Sequence, residues 1–324
     1  MARIRPQNII ATPARCATFL TLTIQEGHEA AVTDVLSDIG GVIRSVAFRE
    51  PEQQLIAVIG IGADAWDRMY DAPRPPGLHP FRELDGGAHT APSTPGDLLV
   101  HIRAHRPDLC FELGRRVLNA FGDAVRVEDE VQGFRFFDER DLLGFVDGTE
   151  NPNGIEAEEA VLVPDGPWQG SSFVIVQKYE HDLSAWDGMT TEQQEAAIGR
   201  TKLSDVEFAD ADKAPNAHLT LNTIEDDGVQ RKIVRDNLPF GSLADGTFGT
   251  YFIGYAADVD VTERMLRNMF LGQGEATHDR ILDFSTALTG ANFFVPTENF
   301  LEDPKPTLAS ARDAAEGGPP APVE

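Results

Sequence analysis

The chain repeats itself at long range, and that repeat limits its fold more than any other feature. Residues 19–24 alternate apolar and polar side chains as a strand does, and a stretch with helical spacing follows Glu26-Gly27-His28-Glu29. About 154 residues later, residues 173–179 read as another strand, running into a helical segment from about Asp182. Residues 98–102, leading into a helix over 107–121, have a counterpart in residues 250–255, leading into a helix over 262–270. Two matches at nearly one spacing predict a duplicated unit. Chance similarity of two common strand–helix units is the competing reading. Each half runs strand, helix, strand, loop, strand, helix, strand. That order suits an α+β fold of two duplicated ferredoxin-like domains, antiparallel sheets with helices packed on them.

The first helix is marked by Ala30, Val32, Val35, Leu36 and Ile39, and Gly40-Gly41 is expected to stop it. Residues 54–62 read as a strand with Leu55, Ala57 and Ile59 on one face. The domain boundaries follow: an N-terminal segment 1–15, a first domain 16–143, a second domain 144–303 and a tail 304–324. The tail carries Pro304-Lys305-Pro306 and Gly317-Gly318-Pro319-Pro320-Ala321-Pro322, a composition that predicts disorder.

The formal net charge of −26 argues against partners with phosphate backbones and against anionic membranes, so neither nucleic acid nor membrane is expected. The two cysteines, Cys16 and Cys110, offer no metal-type spacing and no disulfide framework, which fits a reducing compartment. The N-terminus carries Arg3, Arg5 and Arg15 without a long apolar run, so no secretory or twin-arginine leader is expected. The cytoplasm is the simplest location.

The long connection between the halves contains Gly144-Phe145-Val146-Asp147-Gly148-Thr149-Glu150-Asn151-Pro152. Two glycines flank one carboxylate, and both can adopt positive φ or lie close to a flat ligand. A plain turn would use the same residue types. Downstream, His218 stands alone between apolar neighbours in Ala217-His218-Leu219-Thr220-Leu221, a run that reads as a strand. An imidazole is a neutral ligand for haem iron, although a lone histidine is more often structural. His101 and His105 are four apart, but His101 lies in an expected strand, so metal binding there is disfavoured. Arg235, in Lys232-Ile233-Val234-Arg235-Asp236-Asn237, points the same way along a strand as Asn237. Its bland role would be a salt bridge, with Asp236 for example.

Together these residue types suit cleavage of an O–O bond at iron. Asp147 would carry the peroxide proton from one oxygen to the other, Arg235 would stabilise the departing oxyanion, and His218 would hold the iron. A carboxylate base is ionised well below neutrality, about pH 4 for an unperturbed side chain, so an acidic activity optimum is expected.

The motif at 144–152 resembles the Gly-x-x-Asp-Gly signature of the dye-decolorizing peroxidases, and the segments around His218 and Val234-Arg235-Asp236-Asn237 match that family in order and spacing. The resemblance covers about residues 16–300, and the compact loops resemble the bacterial B-type branch. It implies a haem b peroxidase that reduces hydrogen peroxide and oxidises dyes, phenolics or other small one-electron donors. It further implies that the second domain carries most of the haem pocket, with His218 as the axial ligand and Asp147, Arg235 and Asn237 on the distal side. Arg200 resembles the arginine that meets a haem propionate, with a helix C-terminal cation as its bland reading. Asp283 would accept the second N–H of the axial histidine, unless it merely caps a helix.

Bulky donors would need surface aromatics, for which Trp168, Trp186, Tyr179, Tyr251 and Tyr255 are candidates by type. Glu150 and Glu207 are candidates for attracting Mn²⁺. Some members of the family ride inside encapsulin shells; residues 309–324 show no apolar Gly-Ser-Leu type signal, which argues against shell loading. Homo-oligomer formation is left open. The competing readings are a non-catalytic haem carrier, a haem-modifying enzyme and a haem-free binding module.

Overall fold

The computed structural model describes residues 3–316. The strands that the repeat predicts pair in one antiparallel sheet. Across it run Val234–Arg235, Thr247–Ala256, Ser172–His181, Ala291–Val295, Ile56–Gly62, Leu98–Ala104, Cys16–Ile24 and Val125–Phe134. Leu238–Ser242 joins Thr247–Ala256, and Ser285–Ala287 joins Ser172–His181. Within each half the first strand lies between the third and the fourth, and the third between the first and the second, which is the ferredoxin-like order. The repeated runs 19–24 and 173–179 therefore occupy equivalent central positions.

The halves meet edge to edge, Phe293 opposite Gly62 and Phe294 opposite Ile61. The far edges also approach each other: a Cβ placed on Gly133 would lie 2.7 Å from the Leu238 Cβ. The sheet thus curls on itself, and one of its faces becomes an interior. Phe19 stacks on Tyr251 there with ring centroids 4.1 Å apart, and Val58 and Leu99 share a cluster with Val174 and Ile253. Each such large side chain, fully buried, contributes about 1.5–3 kcal/mol. Helices including Glu29–Ser37, Pro107–Phe121 and Val259–Leu271 cover the outer face. Pro107–Phe121 begins on proline, ends before Gly122 and buries Leu109, Leu113 and Val117 toward the sheet, at helical spacing.

The interior also holds a polar group. The Arg103 guanidinium pairs with Asp236 and donates to Ile9 O at 2.7 Å. His101 Nδ1 lies 2.9 Å from the Tyr255 hydroxyl. Burial pushes the His101 imidazole down to about 3, so the ring is neutral near pH 7, as a core histidine should be.

Two sequence expectations change. Gly40-Gly41 does not stop the first helix: Glu29–Ser37 ends at Asp38, and both glycines lie inside a second helix, Ile39–Ala47. A Cβ on Gly41 would lie 2.6 Å from Asp38 Oδ1, so the glycine leaves room for that side chain at the junction. The tail expected to be disordered forms the helix Lys305–Glu316, with Leu308 and Ala311 buried and Arg312 Nε donating to Asp71 O at 2.7 Å. Residues 317–324 of that tail lie outside the described residues. Among the described residues, no helix is long and apolar enough to cross a membrane.

Candidate active site

The motif at 144–152 lies in the connection between Val125–Phe134 and Ser172–His181, which also carries the helix Ile155–Val161. Gly144 and Gly148 adopt φ of +92° and +83°. This is the left-handed region that glycine enters without steric cost. A Cβ on Gly144 would also run into the Lys202 side chain. The loop is pinned from several sides. Asp147 N donates to Glu139 O at 2.8 Å, and Arg140 Nη1 donates to Gly144 O at 2.8 Å and to Lys202 O at 2.6 Å.

The motif reaches the arginine strand through two side chains. Asn151 Nδ2 donates to Arg235 O at 2.7 Å, and Arg235 N donates to Asn151 Oδ1 at 2.9 Å, so Asn151 imitates a neighbouring strand. Asn237 Nδ2 donates to Asp147 Oδ2 at 3.1 Å, while Asn237 Oδ1 accepts from Ile253 N at 2.9 Å. The second bond fixes the amide so that its N–H points at the carboxylate. Asp147, Arg235 and Asn237 are thereby brought together. Among the described residues no carboxylate pairs with the Arg235 guanidinium, and its buried Nε has no hydrogen-bond partner. The salt bridge to Asp236 is not formed, because Asp236 is engaged by Arg103.

His218 starts the short helix His218–Asn222 rather than lying in a strand. The structure also corrects its partner. His218 Nδ1 donates to Asp279 Oδ2 at 2.8 Å, not to Asp283. Asp279 is fully buried and caps the turn Arg280–Asp283 by accepting from Ile281 N at 3.0 Å. Asp283, four residues on, faces away and bonds His278 Nε2 at 2.9 Å. The only sequence signal for Asp279 was that an aspartate commonly caps a helical turn. A second histidine, His181, lines the same cavity, but its Nδ1 and Nε2 lie 2.9 Å from the Ser285 and Thr250 hydroxyls. His218 Nε2 has no hydrogen-bond partner among the described residues, so it is the imidazole nitrogen free to bind.

Asp141 was missed by the sequence reading. Its Oδ1 accepts from Phe145 N at 2.9 Å. Burial, and then the charge of Asp147, push its carboxyl up to about 7, although the backbone N–H groups of Phe145, Gly144 and Leu143 pull the other way. An acid raised in the native state contributes full stability below about pH 4 and loses it as pH rises to about 7. Asp141→Asn should therefore exceed the parent in unfolding free energy by about 2–4 kcal/mol at pH 8 and match it at pH 4. Urea midpoints at the two pH values check this, and parallel pH slopes for both proteins would refute it.

Arg200 is buried at the cavity wall, paired with Glu150, with Asp205 at 3.1 Å and with Glu207 at 3.5 Å. The aromatic candidates are not at the surface. Trp168, Trp186, Tyr179, Tyr251 and Tyr255 are all buried, as are Trp66 and Tyr70, which accounts for every tryptophan and tyrosine in the chain. Each ring fills a core position, and Trp186 Nε1 donates to Leu143 O at 2.9 Å inside its cluster.

Asp147, Arg235, Asn237, Arg200 and His218 line one cavity. Its remaining walls are mostly apolar, with Leu143, Phe145, Ile198, Phe252, Leu266 and Met269 among them. Residues 6–135 match the N-terminal, and residues 138–300 the C-terminal, family description of the Dyp-type peroxidases. The chain belongs to that family. The dye-decolorizing peroxidase of Brevibacterium linens is 62% identical over 309 residues, covering 94% of this chain and 84% of that protein. The encapsulated DyP-type peroxidase of Mycobacterium smegmatis superposes with a TM-score of 0.92 at 52% identity, covering 93% of this chain and 99% of that one. A Rhodococcus jostii DypB variant solved in complex with haem gives a TM-score of 0.90 at 53% identity over 93% of this chain and 99% of that one.

Proposed function

We propose that the chain is a bacterial B-type haem peroxidase that reduces hydrogen peroxide and oxidises small one-electron donors, with His218 as the residue that would hold the haem iron. The observation that carries this is the composition of one cavity. An imidazole with a free Nε2 and an unpaired guanidinium beside a carboxylate share a space walled by apolar side chains. Those residues fit haem b. The apolar walls suit a macrocycle, the buried Arg235 Nε has no partner among the described residues, and Arg200 would meet a propionate in exchange for one of its carboxylate partners. Asp279 would fix the tautomer and raise the basicity of His218 from behind. Haem, when bound, would supply the iron that reduces peroxide and then takes electrons from the donors.

The chain's own residues do the rest. Asp147 takes the proton from the peroxide oxygen that binds and returns it to the oxygen that leaves. Asn237 holds Asp147 in position with its fixed N–H. Arg235 meets the charge on the leaving oxygen without first having to break an ion pair. A non-catalytic carrier would have no use for such a group.

The Mycobacterium smegmatis neighbour is an encapsulated enzyme. In this chain residues 309–324 show no apolar Gly-Ser-Leu type signal, which argues against shell loading. With only two cysteines the chain has no disulfide framework, which supports a location in the reducing cytoplasm.

Reconstitution with haem tests the proposal. The parent should take up one equivalent, and its Soret band should shift on stoichiometric peroxide and return when a phenolic donor is added. His218→Ala should lose the parental axial-imidazole spectrum. A parental spectrum in that variant, or a Soret band in the parent that peroxide leaves unchanged, would overturn it.

A further inference from the structure

The turn Arg280–Asp283 is used on two sides. On one, Asp279 holds His218. On the other, Asp283 Oδ1 lies 2.9 Å from His278 Nε2 and 3.3 Å from His89 Nε2. The ligand atoms of these three residues all lie within 4.8 Å of one another. Nothing in the peroxidase chemistry above employs them.

The three side chains come from both halves of the molecule. His89 lies in the tight connection between the short strands Leu84–Asp85 and Thr90–Ala91, where Gly86 N donates to His89 O at 3.0 Å. Gly86 packs against the end of the helix Val259–Leu271, so closely that a Cβ would collide with the Phe270 carbonyl. The ribbon is therefore seated on the second half. His278 is oriented by the Thr277 hydroxyl, 3.1 Å from its Nδ1. The two imidazole centroids are 4.6 Å apart.

We infer that His89, His278 and Asp283 form a binding site for a divalent first-row transition cation of the Zn²⁺ class. Tetrahedral coordination with bonds of about 2.0–2.2 Å sets the donor atoms roughly 3.4 Å apart. The observed separations of 2.9 Å and 3.3 Å need little change to reach that spacing. Two imidazoles and one carboxylate are donors that Zn²⁺ accepts, with water in the fourth position. On metal binding the His278 Nδ1–H would donate to Thr277 Oγ1, the kind of outer contact that orients a ligating imidazole. Arg280 Nη1 occupies Asp283 Oδ2 at 2.9 Å and leaves Oδ1 for the cation. Ion pairing alone explains the arrangement poorly. Two imidazolium rings this close would repel each other. The cation would staple a ribbon of the first half to the turn whose opening residue bonds His218.

Calorimetric titration of the haem-loaded, tag-free protein with ZnCl₂ tests the inference. The parent should bind one equivalent that His89→Gln and His278→Gln each weaken tenfold or more. Zn²⁺ should raise the melting temperature of the parent and leave that of the variants unchanged. Binding at Glu150 and Glu207 would occur equally in all three proteins and cancels in the comparison. Melts without Zn²⁺ establish that the variants fold, and Asp283→Asn serves if one histidine variant does not. Matching isotherms for parent and variants, or no saturable binding by the parent, would overturn the site.

Discussion

Asp147→Asn should slow the reaction of the haem-loaded protein with hydrogen peroxide by about 10²–10⁴-fold, the usual contribution of a positioned acid–base group. The replacement keeps the side chain's shape but cannot carry a proton between the two oxygens. Arg235→Leu should cost about 10²–10³-fold, as loss of one charge-stabilising donor does. The two substitutions act on different quantities, one on the proton and one on the developing charge, and the residues are linked through the Asn151 and Asn237 contacts. The double variant should therefore lose less than the product of the single losses. Stopped-flow measurement of the Soret change against peroxide concentration gives all three rates. Parental rates in both single variants would remove Asp147 and Arg235 from the reaction.

The second large effect concerns stability. The Arg103 side chain is 3% exposed and that of Asp236 15% exposed, and the pair crosses the closed interior from one half to the other. Burial works against the charge on Asp236, but the guanidinium beside it prevails and holds the carboxyl below its usual range. Arg103→Met strands that carboxylate and should cost about 3–5 kcal/mol, seen as a lower urea midpoint. Arg103→Met with Asp236→Leu should recover much of the loss, because no buried charge is then left alone. A single variant as stable as the parent would show that water reaches Asp236 freely. Asp236 sits between Arg235 and Asn237, so Arg103→Met should also lower the peroxide rate, whereas a purely global effect on stability would leave the folded fraction at full activity.

The repeat of residues 19–24 and 173–179 was legible because strand alternation is a local pattern, and the sheet places both runs where the repeat implies. His218, Asp147 and Arg235 were legible as residue types in motifs, and the folded chain sets all three around one cavity. What the sequence hides is which neighbour each side chain meets. Asp279 and Asp283 stand four apart on one tight turn, and only the tertiary placement of that turn decides which one faces His218. Asp141 looks like any loop aspartate until Asp147 and the backbone N–H groups close around it. The local environment of His218 misled because Leu219 and Leu221 alternate as in a strand, whereas the segment is a single helical turn. The tail misled because its Pro- and Gly-rich end dominates the composition, while residues 305–316 are good helix formers with an apolar side to bury.

The seam between Ile56–Gly62 and Ala291–Val295 has a consequence for how the protein is made. During synthesis the first half leaves the ribosome with Ile56-Ala57-Val58-Ile59 as an uncapped, β-prone border, and its covering segment Ala291–Val295 is translated only after the whole of the intervening chain. Throughout that interval the nascent chain presents a template for pairing with other copies. Chaperone demand and inclusion-body losses should therefore rise sharply when translation is terminated before residue 291.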